Sequence, residues 1–274
     1  MTTVEAIRVS PDWLDLRERA DAAARSRDLV RRLRRRLPAD RPLVVHDLAC
    51  GSGSMGRWLA PLLDGPQHWV LHDRDSDLLA QAESAVPGLA ADGGAVTVET
   101  RLSDVTRLGR EELAGPDLIT GSALLDLLTD DELAALVGAC AGAGCPVLFA
   151  LSVTGHVQLL PADPLDSHVA ASFDAHQRRV TPRGRLLGPD AVGAAAGAFR
   201  RLGAETIVEP TPWRLDGDEA GLAAEWLAGW IGAACEQDRE LAAEAEPYRQ
   251  RRLREAEAGS LAVTVGHADL VVLP

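Results

Sequence analysis

From Pro11 to Leu37 the apolar positions Trp13, Leu14, Leu16, Ala20, Ala24, Val30, Leu33 and Leu37 recur at mainly helical spacing with charges between them. That period predicts one or two amphipathic helices ending at Pro38. Leu43 to Leu48 is a short apolar run that predicts a strand, followed at once by the Gly-rich turn Cys50 to Gly56 and a helical pattern from Arg57 to Leu63. Further strands are expected at Trp69 to His72, Ala95 to Arg101, Leu118 to Gly121 and Val147 to Ser152, with helical stretches from about Ser76 to Ala85 and near Asp130. Strand alternating with helix at this pace implies a parallel sheet covered on both faces.

Beyond the fifth strand the pattern loses its regularity. Pro161 to Gly188 is rich in Pro, Asp, His and Arg and longer than an ordinary connection, which marks it as a candidate functional segment. Ala191 to Leu202 predicts a small-residue helix, Glu205 to Glu209 a sixth strand, Gly221 to Ala258 a helical region broken near Pro247, and Leu261 to Leu273 a closing seventh strand. No internal repeat is visible.

Length and composition narrow the class. The 274 residues, 46% apolar and 25% charged, contain no apolar run approaching a membrane span, so a globular protein is expected rather than a membrane or disordered one. The formal charge of −13 argues against nucleic acid as a main partner. All 28 basic residues are arginine and there is no asparagine. The missing lysine excludes Schiff-base chemistry and a lysine-bearing phosphate loop, and the missing asparagine excludes N-glycosylation. Cys50, Cys140, Cys145 and Cys235 show no metal-ligand spacing, so reduced thiols in a cytoplasmic protein and no metal site are expected. The opening Met1-Thr-Thr-Val-Glu shows no basic segment leading into an apolar one, so no export signal is expected.

The turn places Gly51, Gly53 and Gly56 in a G-x-G-x-x-G arrangement between a strand and a helix, where glycine permits tight turning and close approach of a ligand. Asp73 lies 22 residues after Gly51, at the end of the second strand, where a carboxylate accepts hydrogen bonds from ribose hydroxyls. Nicotinamide enzymes and adenosylmethionine enzymes both meet this description. Asp47, four residues before Gly51, separates them: a carboxylate there repels a pyrophosphate and attracts a sulfonium or an ammonium group.

Asp47-Leu-Ala-Cys-Gly-Ser-Gly53 resembles the first motif of class I S-adenosylmethionine-dependent methyltransferases, with Ala49 where glycine is usual. The stretches Leu71 to Asp75, Ser103-Asp104-Val105 and Pro116 to Asp126 are similar to the family's second to fourth motifs. The resemblance covers about residues 43–152. It implies an α/β fold: a doubly wound, mostly parallel seven-stranded sheet with an antiparallel terminal strand and extra helices. It also implies an amino-terminal helical cap (1–40), a methyltransferase domain (41–274) and substrate-recognition segments near 155–190 and 216–258. The cofactor would be S-adenosylmethionine, held by Asp47, Ala49, Gly51 and Gly53, with Asp73 and Arg74 at the ribose, Asp104 and Val105 at the adenine, and Ser122 beside the methionine moiety. The expected reaction is methyl transfer to an O, N or C atom of a small-molecule metabolite. A methyltransferase-like protein that binds the cofactor without methylating, and an NAD(P)-dependent reductase, are the alternatives.

Several candidates have an ordinary structural explanation beside the functional one. Arg17, Asp21 and Arg25 share a helix face, either as solvated ion pairs or as a clamp over the cofactor carboxylate, with Arg25 the residue placed to reach it. His156 and His176 lie near the expected carboxyl edge and are the candidates for a general base. Arg178, Arg179, Arg183 and Arg185 suit an anionic substrate or an acidic protein's own surface. His72 and Cys50 are expected to pack, Trp213, Trp226 and Trp230 to serve the core, and Asp130 to Glu132 to start a helix. A monomer or homodimer is expected.

Overall fold

A computed structural model describes residues 10–109 and 111–274; the opening Met1-Thr-Thr-Val-Glu lies outside them. Two helices lead, α1 (Pro11–Ala24) and α2 (Arg27–Arg34). They are separate because Ser26 caps α2, its hydroxyl accepting from the Leu29 N–H. Helix α2 buries Leu29, Val30 and Leu33 completely or nearly so, whereas α1 buries only Ala20 and Asp21.

The sheet begins with β1 (Leu43–Leu48), then α3 (Ser54–Leu59), β2 (Gln67–Asp73), α4 (Ser76–Ala85), β3 (Val96–Leu102) and β4 (Leu118–Ser122). Helix α5 (Asp130–Ala143) starts in a capping box, Thr129 and Glu132 each satisfying the other's backbone N–H. There follow β5 (Val147–Leu160), α6 (Asp166–Gln177), β6 (Val180–Thr181), β7 (Gly184–Arg185) and α7 (Ala191–Arg201). The chain closes through β8 (Glu205–Pro210), β9 (Trp213–Leu215), α8 (Ala220–Gln237), α9 (Ala242–Glu257) and β10 (Ala262–Leu273).

The strand order is β3-β2-β1-β4-β5-β10-β8, with the short β9 on β10. Strands β1 to β5 run parallel and β10 enters antiparallel between β5 and β8. The expected architecture is therefore the observed one, with β9 as an eighth strand and a separate β6–β7 hairpin added. One apolar cluster fills the face under α5 and α7, and a second fills the face under α2, α3 and α4. A third cluster joins α6, α8, α9 and β9, so the late segments near 155–190 and 216–258 form one helical layer in which α6 packs on α8. Trp226 and Trp230 stack there at 5.1 Å, as core residues.

Three sequence expectations are corrected. Strand β5 does not stop at Ser152 but continues to Leu160, because beyond Ser152 it pairs with β10 and switches from continuous burial to alternation, with Thr154, His156 and Gln158 facing outward. The irregular segment contains α6, whose buried positions Val169 and Ser172 are too few to print a helical stripe. The break in the late helical region falls at 238–241, where the Asp238 side chain accepts from the Glu240 N–H, and Pro247 is accommodated inside α9. No helix among the described residues is long and apolar enough to cross a membrane.

Candidate functional site

The carboxyl ends of β1 and β4 meet under α1, and a cavity of about 50 Å³ opens between them. Its wall is made by Leu14, Arg17 and Asp21 of α1, by Asp47 and the turn from Ala49 to Met55, and by Ser122 and Ala123 after β4. The turn is tight because Ala49 (φ 51°), Gly51 (φ 56°) and Gly53 (φ 85°) all adopt the left-handed conformation. A Cβ on Gly53 would sit 3.1 Å from Ala82 of α4, and one on Gly56 would sit 2.8 Å from the Val86 side chain. The second and third glycines therefore serve close packing, while a Cβ on Gly51 would meet only the Leu14 side chain, at 3.4 Å.

Asp73 ties the turn to β2: its Oδ2 accepts from the Gly51 N–H at 2.8 Å and its Oδ1 from the Asp75 N–H at 3.0 Å. Each oxygen has two lone pairs, so one on each stays available to a further donor. Asp47 is wholly buried at the end of β1. Its Oδ1 accepts from the Thr120 hydroxyl at 2.7 Å and its Oδ2 has no partner among the described residues. Burial pushes this carboxyl up to about 6, against the pull of the Thr120 bond and the Arg25 charge.

Arg25 is the cationic counterpart. It ends α1, is 3% exposed, and crosses the site to donate to the Ser54 carbonyl and hydroxyl and to the Ser122 hydroxyl at 3.0–3.2 Å. Its Nε has no partner among the described residues, and burial, with the neighbouring Arg17 charge, lowers its pKa against the raising influence of Asp21, Asp269 and Asp47. The neighbouring Ser26 fixes this position: its N–H donates to Asp269 Oδ2 at 2.8 Å and its hydroxyl to Glu209 at 2.5 Å. Asp269 Oδ1 in turn accepts from the Leu151 N–H and the Thr211 hydroxyl. Sequence reasoning missed Asp269, although a lone acid inside the apolar closing strand was a readable signal.

Arg17 and Asp21 form the ion pair that their spacing allowed, at 2.9 and 3.1 Å, and Trp213 closes over them, donating its indole N–H to Asp21 at 3.0 Å. Asp104 caps the turn after β3, accepting from the Thr106 N–H and hydroxyl. Burial pushes its carboxyl up, but these bonds and the Arg107 and Arg74 charges outweigh it and hold the group below the usual range. Val105 is half-buried beside Asp104 and Arg74 is exposed after Asp73.

The two histidines lie elsewhere. His156 is exposed on the outer half of β5, and His176 ends α6 with its Nε2 3.1 Å from Glu236; neither lines the cavity. The arginine-rich segment is likewise away from it, Arg178 paired with Asp190 and Arg183 with Glu132. His72 packs as expected, its Nε2 3.2 Å from Nδ1 of the buried His46. Cys50 is a buried free thiol and the other three cysteines are free as well. Among the described residues no group of acids, histidines and cysteines could hold a metal ion.

The sequence matches no protein-family model and no curated protein. Solved structures do resemble it. A cyclopropane synthase from Mycobacterium tuberculosis matches with a TM-score of 0.51 at 13% identity, covering 95% of this chain and 94% of that one. A SAM-dependent methyltransferase from Thiobacillus denitrificans, in complex with S-adenosyl-L-homocysteine, matches with a TM-score of 0.47 at 15% identity, covering 97% and 99%. The fold is thus the Rossmann-like fold of the methyltransferases, in agreement with the strand order.

Proposed function

We propose that the chain binds S-adenosylmethionine and transfers its methyl group to a small-molecule metabolite. The observation that carries this reading is the pair of opposite charges, Asp47 before the glycine turn and Arg25 bonded to Ser54 and Ser122 beside it, both buried and each with one polar atom left without a partner among the described residues. Buried polar atoms are seldom orphaned, and a ligand end bearing both an ammonium and a carboxylate satisfies the two together. Arg25 would hold the carboxylate and Asp47 the ammonium. Asp73 would take the ribose hydroxyls with its free lone pairs, and the glycine turn would admit the nucleoside close to the backbone. When bound, the cofactor supplies an electrophilic methyl on a positive sulfur. This chain's own contribution is to hold the acceptor in line with that methyl and keep water out, for which effective molarities on the order of 10⁵ M are attainable. A nicotinamide reductase would have to set a pyrophosphate against the buried carboxylate of Asp47, which costs rather than gains.

Calorimetric titration of the full chain with S-adenosylmethionine, S-adenosylhomocysteine and NADPH in parallel tests this. Binding of the first two and not the third is expected; binding of NADPH alone, or of none, would sink the reading.

A further inference from the structure

The residues assigned to the cofactor lie at the ends of three adjacent strands: Asp73 on β2, Asp47 on β1, and Ser122, which Arg25 bonds, on β4. The sheet continues from β4 to β5 and β10, so the side of the cavity towards those strands is left for the second reactant. Arg17 of α1 stands on that side. It is the one cationic side chain among the described residues lining the cavity, and its guanidinium lies 4.9 Å from the ring of Trp213. Strand β9 brings Trp213 onto β10 opposite Val265, with Trp13 of α1 beside it at 6.4 Å. The guanidinium is fixed before any ligand arrives. Its Nε and Nη2 donate to the two oxygens of Asp21, and the Trp213 indole N–H holds Asp21 Oδ1 in turn. A group positioned in this way loses little rotamer freedom when it makes a further bond. Nη1 is the nitrogen left for one: it donates to no described residue, and the side chain retains 14% exposure.

We propose that Arg17 determines specificity on the acceptor side, and that the methyl acceptor is a small molecule bearing a carboxylate, which Nη1 of Arg17 holds. This rests on the cofactor reading above. A guanidinium has donors and no acceptor, so it takes an oxygen with lone pairs, and a charged oxygen makes the stronger bond. Asp21 and Asp47 stand on the same cavity wall, so a single negative charge is tolerated there better than the double charge of a phosphate. The carboxylate is a handle and not the reacting atom. Arg17 is therefore a binding residue that sets where the acceptor sits, and Asp21 and Trp213 are the groups that position it.

Calorimetry on the full chain saturated with S-adenosylhomocysteine tests this, with acetate against acetamide and benzoate against benzamide as matched probes. At least one carboxylate should bind roughly tenfold or more tightly than its amide. In Arg17→Gln that preference should vanish while S-adenosylhomocysteine affinity stays within about twofold. Asp21→Asn removes the carboxylate that shares the guanidinium, so it should strengthen the same probe about threefold or more and leave its amide unchanged. This second variant decides the matter if Arg17→Gln does not fold. No preference in the wild type, a preference kept in Arg17→Gln, or no gain in Asp21→Asn would overturn the assignment. So would a collapse of S-adenosylhomocysteine affinity in Arg17→Gln, which would put Arg17 on the cofactor instead. Failure of the wild type to bind S-adenosylhomocysteine would defeat the cofactor reading itself.

Discussion

Asp47 shows how one residue links burial to ligand chemistry. Its carboxyl is raised to about 6 from an ordinary 3.8, so between those values the folded protein holds a proton that the unfolded chain has lost. Its contribution to stability is therefore fully present below the lower value and is lost as pH rises through the higher one. An ammonium beside it reverses the preference, because it stabilises the ionised form and binding then expels the proton. Cofactor affinity should rise about tenfold per pH unit up to pH 6 and level off above it. Asp47→Asn should remove that slope. Calorimetry from about pH 5 to pH 8 in buffers of different ionisation enthalpy checks both the slope and the proton count, and a pH-independent affinity in the wild type would separate Asp47 from the ligand.

At the scale of elements, α1 and α2 are adjacent but unequally held. Helix α2 is anchored by three apolar residues, whereas α1 has Leu14 half-buried and Leu16 41% exposed, and leans on polar contacts: Glu18 to Arg57, Asp21 to Trp213, Arg25 to Ser122. A cavity of about 50 Å³ admits a few waters, while small-ligand sites run to roughly 300 Å³ or more. On the proposed function, α1 is the element expected to move outward when a nucleoside enters, with Ser26, bonded to Asp269, as its fixed end. Amide hydrogen exchange should be faster in α1 than in α2 without ligand, and S-adenosylmethionine should slow α1 selectively. Equal protection of both helices, unchanged by ligand, would contradict this. The sequence also shows how elements reveal themselves. The parallel strands were legible because burial on both faces leaves continuous apolar runs, and the glycine turn because its backbone tolerates few residues. The outer half of β5 and the whole of α6 were not, because pairing with β10 and packing on α8 hold them in place despite polar sequences. Arg25 and Asp47 could be named as candidates, but their convergence depends on Asp269, 243 residues from Ser26 in sequence.

On the scale of the whole molecule, three buried histidines act together. Burial pushes His46 and His72 down to about 4 and His267 to about 3, so all three are neutral when folded and take up protons on unfolding. A base with a depressed folded pKa costs stability as pH falls below 6.5, the ordinary histidine value. The raised carboxyls of Asp47, Asp126 and Asp269 pull the other way, so the comparison that isolates the histidines is with a variant. Relative to wild type, His72→Gln should gain stability in urea denaturation by roughly 1 to 3 kcal/mol as pH falls from 6.5 towards 4; parallel curves would show that His72 is charged in the folded state. On the proposed function, distant parts of the chain, Arg25 and Asp47 with Asp269 bonded to the neighbouring Ser26, converge to grip an amino-acid end. S-adenosylhomocysteine carries that end and 5′-methylthioadenosine lacks it, so the ratio of their dissociation constants isolates the grip. The wild type should favour S-adenosylhomocysteine by about a hundredfold, and Arg25→Gln or Asp47→Asn should each shrink that preference by about tenfold or more. Equal affinity for the two nucleosides in the wild type, or a preference that neither substitution alters, would contradict the account.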